Sequence, residues 1–303
     1  GRGTPPDRPI PCRPVDVQTS VAAAATLVSL AFAATVLERW IDRRRPQDAA
    51  WAWSLLLFAL GGNDTDVLTV SKTAGTATFT QAVAIGSSFL VTDGAVTFNS
   101  TVMSGPFEVQ ADTTTLGGAL TASTLTVASG ATLAGGANAL SLTGNVSLAD
   151  SSYTGTGTLT LTAGAARSLD VGDNLIRTLV ISNSNTTTLG SPTSVGTGGF
   201  QLASTGNLDW GSNSLTVAGS ADFNGRTFNN TGSLVLSGTG TLTVGGSSFA
   251  DVSITNGTTT VSGTLTAASL TVGAGTTLRS DNTVTALGTV SLAGTLQTTG
   301  LST

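Results

Sequence analysis

The chain has 303 residues, enough for one or two domains with a sizeable core, yet only 10% are charged and none is histidine. Residues 1–60 carry seven arginines against five acids, whereas residues 61–303 carry five basic residues (Lys72, Arg167, Arg177, Arg226, Arg279) against twelve acids. So few cations cannot neutralise a phosphate backbone, which excludes nucleic acid as a partner of the long segment, and the missing histidine excludes His-based triads and His-ligated metals within this chain.

Disorder requires low hydrophobicity and high net charge, but 40% of the residues are apolar and the net charge is −5. The apolar residues are mostly Leu, Val and Ala among Thr, Ser and Gly, a mixture suited to short strands with tight turns. Cys12 is the only cysteine, so no intrachain disulfide or cysteine-based zinc site is possible.

The first 61 residues divide by composition. Residues 1–18 are rich in Pro and Arg and are expected to form an irregular tail. Residues 19–37 (TSVAAAATLVSLAFAATVL) are apolar all round and long enough to span a hydrocarbon core. A basic loop with Arg39, Arg43, Arg44 and Arg45 comes next, and then a shorter apolar stretch at 49–61 opening on Trp51 and Trp53. Residues 19–60 are therefore expected to form an apolar helical hairpin, a membrane or export segment with a cytoplasmic basic loop and interfacial tryptophans. Three other readings stand beside it: a signal peptide with a small-residue site in LAFAAT, a helix capping the first coil of a solenoid, and a segment of unrelated origin.

Beyond Gly61 the helical period stops and alternating triplets begin: VLTV at 67–70, TLTV at 124–127, TLTLT at 158–162, SLTV at 214–217, SLTV at 269–272. Period-two patterning places alternate side chains on opposite sides of a strand, and Gly, Asn, Asp and Ser mark the turns between. Direct repetition is the stronger signal. ALTASTLTVASGATL (119–133) matches TLTAASLTVGAGTTL (264–278) at nine of fifteen positions, and GTGTLTL at 155–161 recurs as GTGTLTV at 238–244. TLVISNSNTTTLG (178–190) resembles DVSITNGTTTVSG (251–263), each with an Asn two residues after an Ile. Strand starts at 125, 140, 159, 179, 200, 215, 234, 252, 270 and 290 give a mean step of about 18 residues. The expected fold is all-β: a parallel β-helix, or β-solenoid, of about 18–20 residues per coil over 61–303, preceded by one or two N-terminal apolar helices. Asn183 and Asn256 are expected to face inward and to bond up and down the stack. Antiparallel sandwiches are the competing all-β arrangement.

The stretch FNNTGSLVLSGTGTLTVGGSSFADVSITNGTTTVSGTLTAASLTVGAGTTL (228–278) resembles the repeat regions of bacterial surface β-solenoid proteins, autotransporter passengers and filamentous-haemagglutinin-like adhesins among them. The resemblance covers most of 61–303 and implies a surface location and this fold, with no particular ligand.

Parallel β-helices also include polysaccharide-cleaving enzymes, whose sites need paired carboxylates or an acid beside a cation on adjacent coils. Here Asp150, Asp209, Asp222, Asp251 and Asp281 stand singly, and the only mixed cluster is Arg167, Asp170, Asp173 and Arg177 in ARSLDVGDNLIR. Exposed ion pairs at a solvated turn account for it as well as a site does. GGNDTDVLT (61–69) resembles one copy of a calcium-binding nonapeptide with Asp64 at a glycine position, and one copy does not complete a coordination shell. Sequons stand at Asn63, Asn99, Asn145, Asn185, Asn229 and Asn256, a number this composition produces by chance. No catalytic, cofactor-binding or metal residue is assigned, and no cofactor is expected.

The expected function is a secreted or cell-surface structural or adhesive stalk without catalytic activity, with a carbohydrate-binding or carbohydrate-active β-helix as the alternative. Expected partners are a host or neighbouring-cell surface or a matrix polysaccharide, with membrane contact through residues 19–60. Position 1 is Gly, and the repeat stops at GLST in mid-pattern, so a longer native chain is expected.

Overall fold

The computed structural model describes residues 67–302 apart from 163, 204–205, 224–225, 227 and 246–247. The tail expected over 1–18 and the apolar hairpin expected over 19–60 lie outside the described residues. The chain divides into Gly1–Leu68 and Thr69–Thr303, and the second unit is a parallel β-solenoid.

The local unit is a short strand such as Thr158–Leu161 (TLTL). Leu159 and Leu161 point inward and are buried, while the alternating Thr158 and Thr160 are half-buried on the outer surface. Alone, such a strand would leave both leucines in water. Pairing in parallel with Leu140–Leu142 on one side and Leu175–Ile181 on the other covers them from both directions. Each enclosed Leu or Val then contributes about 1.5–3 kcal/mol of apolar burial.

Followed through its register, this ladder runs Val83, Val102, Leu120, Leu140, Leu159, Leu179, Phe200, Ala221, Leu242, Val261, Ser280, Thr298. Its eleven steps vary between 18 and 21 residues, with a mean of about 19.5. At about 4.8 Å per rung the twelve rungs cover roughly 50 Å.

Two further ladders complete each turn. The second runs Phe89, Phe107, Leu125, Val146, Leu169, Leu189. The third runs Ile176, Val195, Val217, Leu236, Ile254, Val272, Leu292. A turn therefore has three faces, as in Leu140–Leu142, Val146–Ser147 and Ser152–Gly155, after which Thr158–Leu161 returns to the first. These pairings are parallel, which removes the antiparallel sandwich.

Three faces explain why the strand starts gave a period near 18. Position 125 lies on the second face, 140 to 200 on the first, and 215 to 290 on the third. Passing from 125 to 140 and from 200 to 215 covers two thirds of a turn each, so the count fell below the true pitch.

The internal repeats have the same property. Leu120, Leu125 and Leu133 lie on the first, second and third faces, whereas their counterparts Leu265, Leu270 and Leu278 lie on the second, third and first. By contrast Leu159 and Leu242 both lie on the first face, four turns apart. One amino-acid string thus builds different faces at different heights. The faces are close to interchangeable.

Aromatic rings gather at two levels of the core. Phe79, Phe89, Phe98 and Phe107 form one group, with Phe89 and Phe107 stacked at 5.2 Å. Phe200, Trp210, Phe223, Phe228 and Phe249 form the other. No aromatic side chain among the described residues is exposed.

Candidate functional site

Corners join the faces, and their chemistry is where polar side chains concentrate. Three corners share one construction. Asn138, Asn174 and Asn213 each donate the backbone N–H to the carbonyl three residues earlier, at Gly135, Val171 and Trp210. Each side-chain Nδ2 then donates to the rung below: to Leu116 O at 2.7 Å, Leu148 O at 2.8 Å and Leu189 O at 2.9 Å. Two residues before each stands a glycine in the left-handed region, Gly136, Gly172 and Gly211, with φ of 56°, 53° and 52°. Glycine reaches that conformation without the steric cost a β-carbon brings. On the next rung, a β-carbon at Gly157 would lie 1.9 Å from Asn138 O, so the close approach over this corner requires glycine.

Asn174 is the most enclosed of the three. Its Nδ2 also donates to Val171 O at 3.0 Å and Ser151 O at 3.2 Å, and its Oδ1 accepts the Tyr153 N–H at 2.7 Å.

The asparagines expected to bond along the stack behave differently. Asn183 is fully buried, but its Nδ2 donates to Asn185 O and its Oδ1 accepts from Thr187 Oγ1, both in its own corner. Asn256 is exposed, beside Gly257 with φ of 72°. The signal for the stack-bonding residues lay elsewhere, in the recurrence GANAL (136–140), GDNLI (172–176) and GSNSL (211–215).

Several isolated acids accept hydrogen bonds, two of them from backbone and one from a side chain. Asp112 Oδ2 accepts the Gly94 N–H from the rung below at 2.8 Å, with Asp112 itself at φ 55°. Asp209 Oδ1 accepts from Gly211 N–H at 2.9 Å, and Asp251 Oδ1 accepts from Ser269 Oγ. Asp150 is exposed with φ of 57°, Asp222 is half-buried and Asp281 is exposed.

The mixed cluster of ARSLDVGDNLIR is not brought together. Asp173 is exposed at a turn, Arg177 is exposed within the strand Leu175–Ile181, and half-buried Asp170 accepts the Gly172 N–H at 3.3 Å. Arg167 points the other way, into the core. By period two it shares the inward side of its strand with Leu169, and it is 4% exposed. Its Nη1 donates to Leu142 O at 3.1 Å, while Nε and Nη2 have no partner. Desolvation lowers the guanidinium pKa from its ordinary value. Three other buried groups lack partners among the described residues: the Thr114 hydroxyl, the Tyr153 hydroxyl and the Trp210 Nε1. Burial raises the Tyr153 pKa to about 12.

No protein-family model matches this chain, and neither a curated protein nor a solved structure matches it. The functional reading accordingly rests on its own residues.

Of the nonapeptide-like GGNDTDVLT, residues 61–66 lie outside the described residues; Val67 is exposed and Leu68 buried. No group of three or more His, Cys, Asp or Glu among the described residues could hold a metal ion. The sequon residues Asn99, Asn145, Asn185, Asn229 and Asn256 are all exposed, and Asn63 lies outside the described residues. Three of them already serve neighbouring rungs: Asn145 Oδ1 accepts from Ser168 N–H at 3.0 Å, Asn185 Nδ2 donates to Gly164 O, and Asn229 Nδ2 to Asp209 Oδ2 at 3.4 Å.

Proposed function

We propose that the solenoid is an extended structural or adhesive stalk of the cell surface or a secreted protein, without catalytic activity. The observation that carries this reading is the stack of interchangeable rungs, each contacting its neighbours and presenting Thr, Ser and Gly outward. Such an array gains reach by adding turns, at no change in the chemistry of its surface. Its partners are a host or neighbouring-cell surface or a matrix polysaccharide, and residues 19–60 supply a membrane or export segment.

A carbohydrate-active β-helix needs an acid and its partner in one groove, and the separation of Asp170, Asp173 and Arg177 weighs against it. The inward placement of the described aromatics also favours a stalk over a sugar-stacking platform.

The test is removal of two whole turns, Val252 to Thr289, which joins Asp251 to Val290 in the register of the third face. Solution scattering should show a folded chain whose longest dimension falls by about 10 Å. Global unfolding would contradict the modular stalk. Turnover of any polysaccharide in a screen, lost in Asp170→Asn, would contradict the absence of catalysis. Carbonate extraction of membranes separates the anchored from the free form: full-length chain retained and the Δ1–60 chain released supports the segment assigned to 19–60.

A further inference from the structure

Two corners carry the same local sequence, an Asn two residues after an Ile, and differ in what holds the amide. Asn183 is fully buried, with its Nδ2 donating to Asn185 O and its Oδ1 accepting from Thr187 Oγ1 at 3.0 Å. Asn256 is exposed in the corner between Ser248–Ile254 and Thr258–Ser262. Its side-chain amide has no hydrogen-bond partner among the described residues.

The residue that follows gives this open amide a neighbour with which to react. Gly257 accepts the Thr277 N–H at its carbonyl, at 3.1 Å, while its own N–H has no partner among the described residues. Without a β-carbon, no side chain on Gly257 shields that nitrogen from the amide carbon of Asn256. The related pair Asp93–Gly94 is closed, because the Gly94 N–H is donated to Asp112 Oδ2 at 2.8 Å. A second Asn–Gly pair, Asn224–Gly225, lies outside the described residues.

We infer that Asn256 is a site of spontaneous modification, in which its amide becomes a carboxylate through a cyclic imide formed with Gly257. Hydroxide removes the Gly257 N–H proton, and the nitrogen attacks Asn256 Cγ. The new N–Cγ bond closes the imide ring, the Cγ–Nδ2 bond breaks, and Nδ2 takes a proton from water and leaves as ammonia. Water then opens the ring at either carbonyl. Breaking the bond to Cγ gives aspartate, and breaking the main-chain bond instead gives isoaspartate, with the chain routed through the side chain. The net reaction consumes one water and releases one ammonia. Either product adds a negative charge to a chain whose net charge is −5, and isoaspartate also lengthens the corner by a methylene.

The experiment is incubation of the full chain at mildly alkaline pH, folded in buffer and unfolded in guanidinium, followed by peptide mapping with mass spectrometry. It reads the loss of unmodified Asn256 and Asn183 with time, and fragmentation separates isoaspartate from aspartate. Comparing each residue with itself, folded against unfolded, removes the intrinsic difference between an Asn–Gly and an Asn–Ser pair. Folding should slow Asn256 by no more than about threefold and Asn183 by about tenfold or more, since the buried amide waits on local opening. Isoaspartate should accumulate beside aspartate at position 256. Equal slowing at the two residues, an Asn256 that stays intact, or aspartate without isoaspartate would overturn the assignment.

Discussion

Two corners on successive faces of the same turn bury a long polar side chain, and they do so with opposite outcomes. At the corner ending in Asn174 the amide makes four bonds, three of them to carbonyls and one to the Tyr153 N–H. At the corner ending in Arg167 the guanidinium makes one and leaves two nitrogens empty. The difference is geometric. Gly172 tightens the Asn174 corner so that the amide falls between two rungs, where orphan carbonyls await donors. The longer corner before Arg167 offers its side chain a single carbonyl. Polar groups are compatible with this core when the corner is short enough to close on the rung below.

The largest expected effect comes from the closed corner. Asn174→Ala strips four bonds in a buried setting and should destabilise the solenoid by about 3–4 kcal/mol in urea unfolding. Asn138→Ala, with two bonds in a half-buried site, should cost about 1–2 kcal/mol, so equal losses would break the ranking.

Tyr153 is the next largest. Its phenol has a folded-state pKa of about 12, above its ordinary value of 10.0, so the folded state resists ionisation more than the unfolded chain does. The contribution is intact below pH 10 and is lost as the pH rises towards 12, an expected decline of about 2 kcal/mol. Alkaline denaturation of Tyr153→Phe should lack this decline.

Arg167→Met should act in the opposite direction from Asn174→Ala. It removes an uncompensated buried charge and should raise stability by about 1–2 kcal/mol. A loss of similar size would mean that the guanidinium is already satisfied. The smallest effect belongs to Asn256→Ala, expected within about 0.5 kcal/mol because that side chain is exposed at an outward corner.

Much of this fold is legible in the chain. TLTL at 158–161 and SLTV at 269–272 state their inward leucines by parity alone, and direct repeats indicate stacking. The face on which a strand lies is not legible, because identical strings serve different faces and only the accumulated length of the preceding corners decides. For the same reason Asn183 and Asn256, equivalent in local sequence, end with one buried and one exposed. The inward direction of Arg167 was available from its spacing to Leu169, but a charge beside Asp170 and Asp173 reads as a solvated turn unless parity is applied first. That its Nε and Nη2 lack partners was not available, since that depends on which carbonyls the next rung brings within reach.

Interchangeable faces are the central claim, and three deletions starting at Thr258 test it most directly. Removing 258–276 takes out one turn, as Thr258 pairs with Thr277. Removing 258–263 takes out one face and brings Leu265 into the inward place of Thr259. Removing 258–266 leaves Ala267, an inward residue, at an outward position. Circular dichroism with urea unfolding should show the first two chains folded and cooperative and the third disrupted beyond the deletion. A one-face deletion as damaging as the 258–266 deletion would contradict the account.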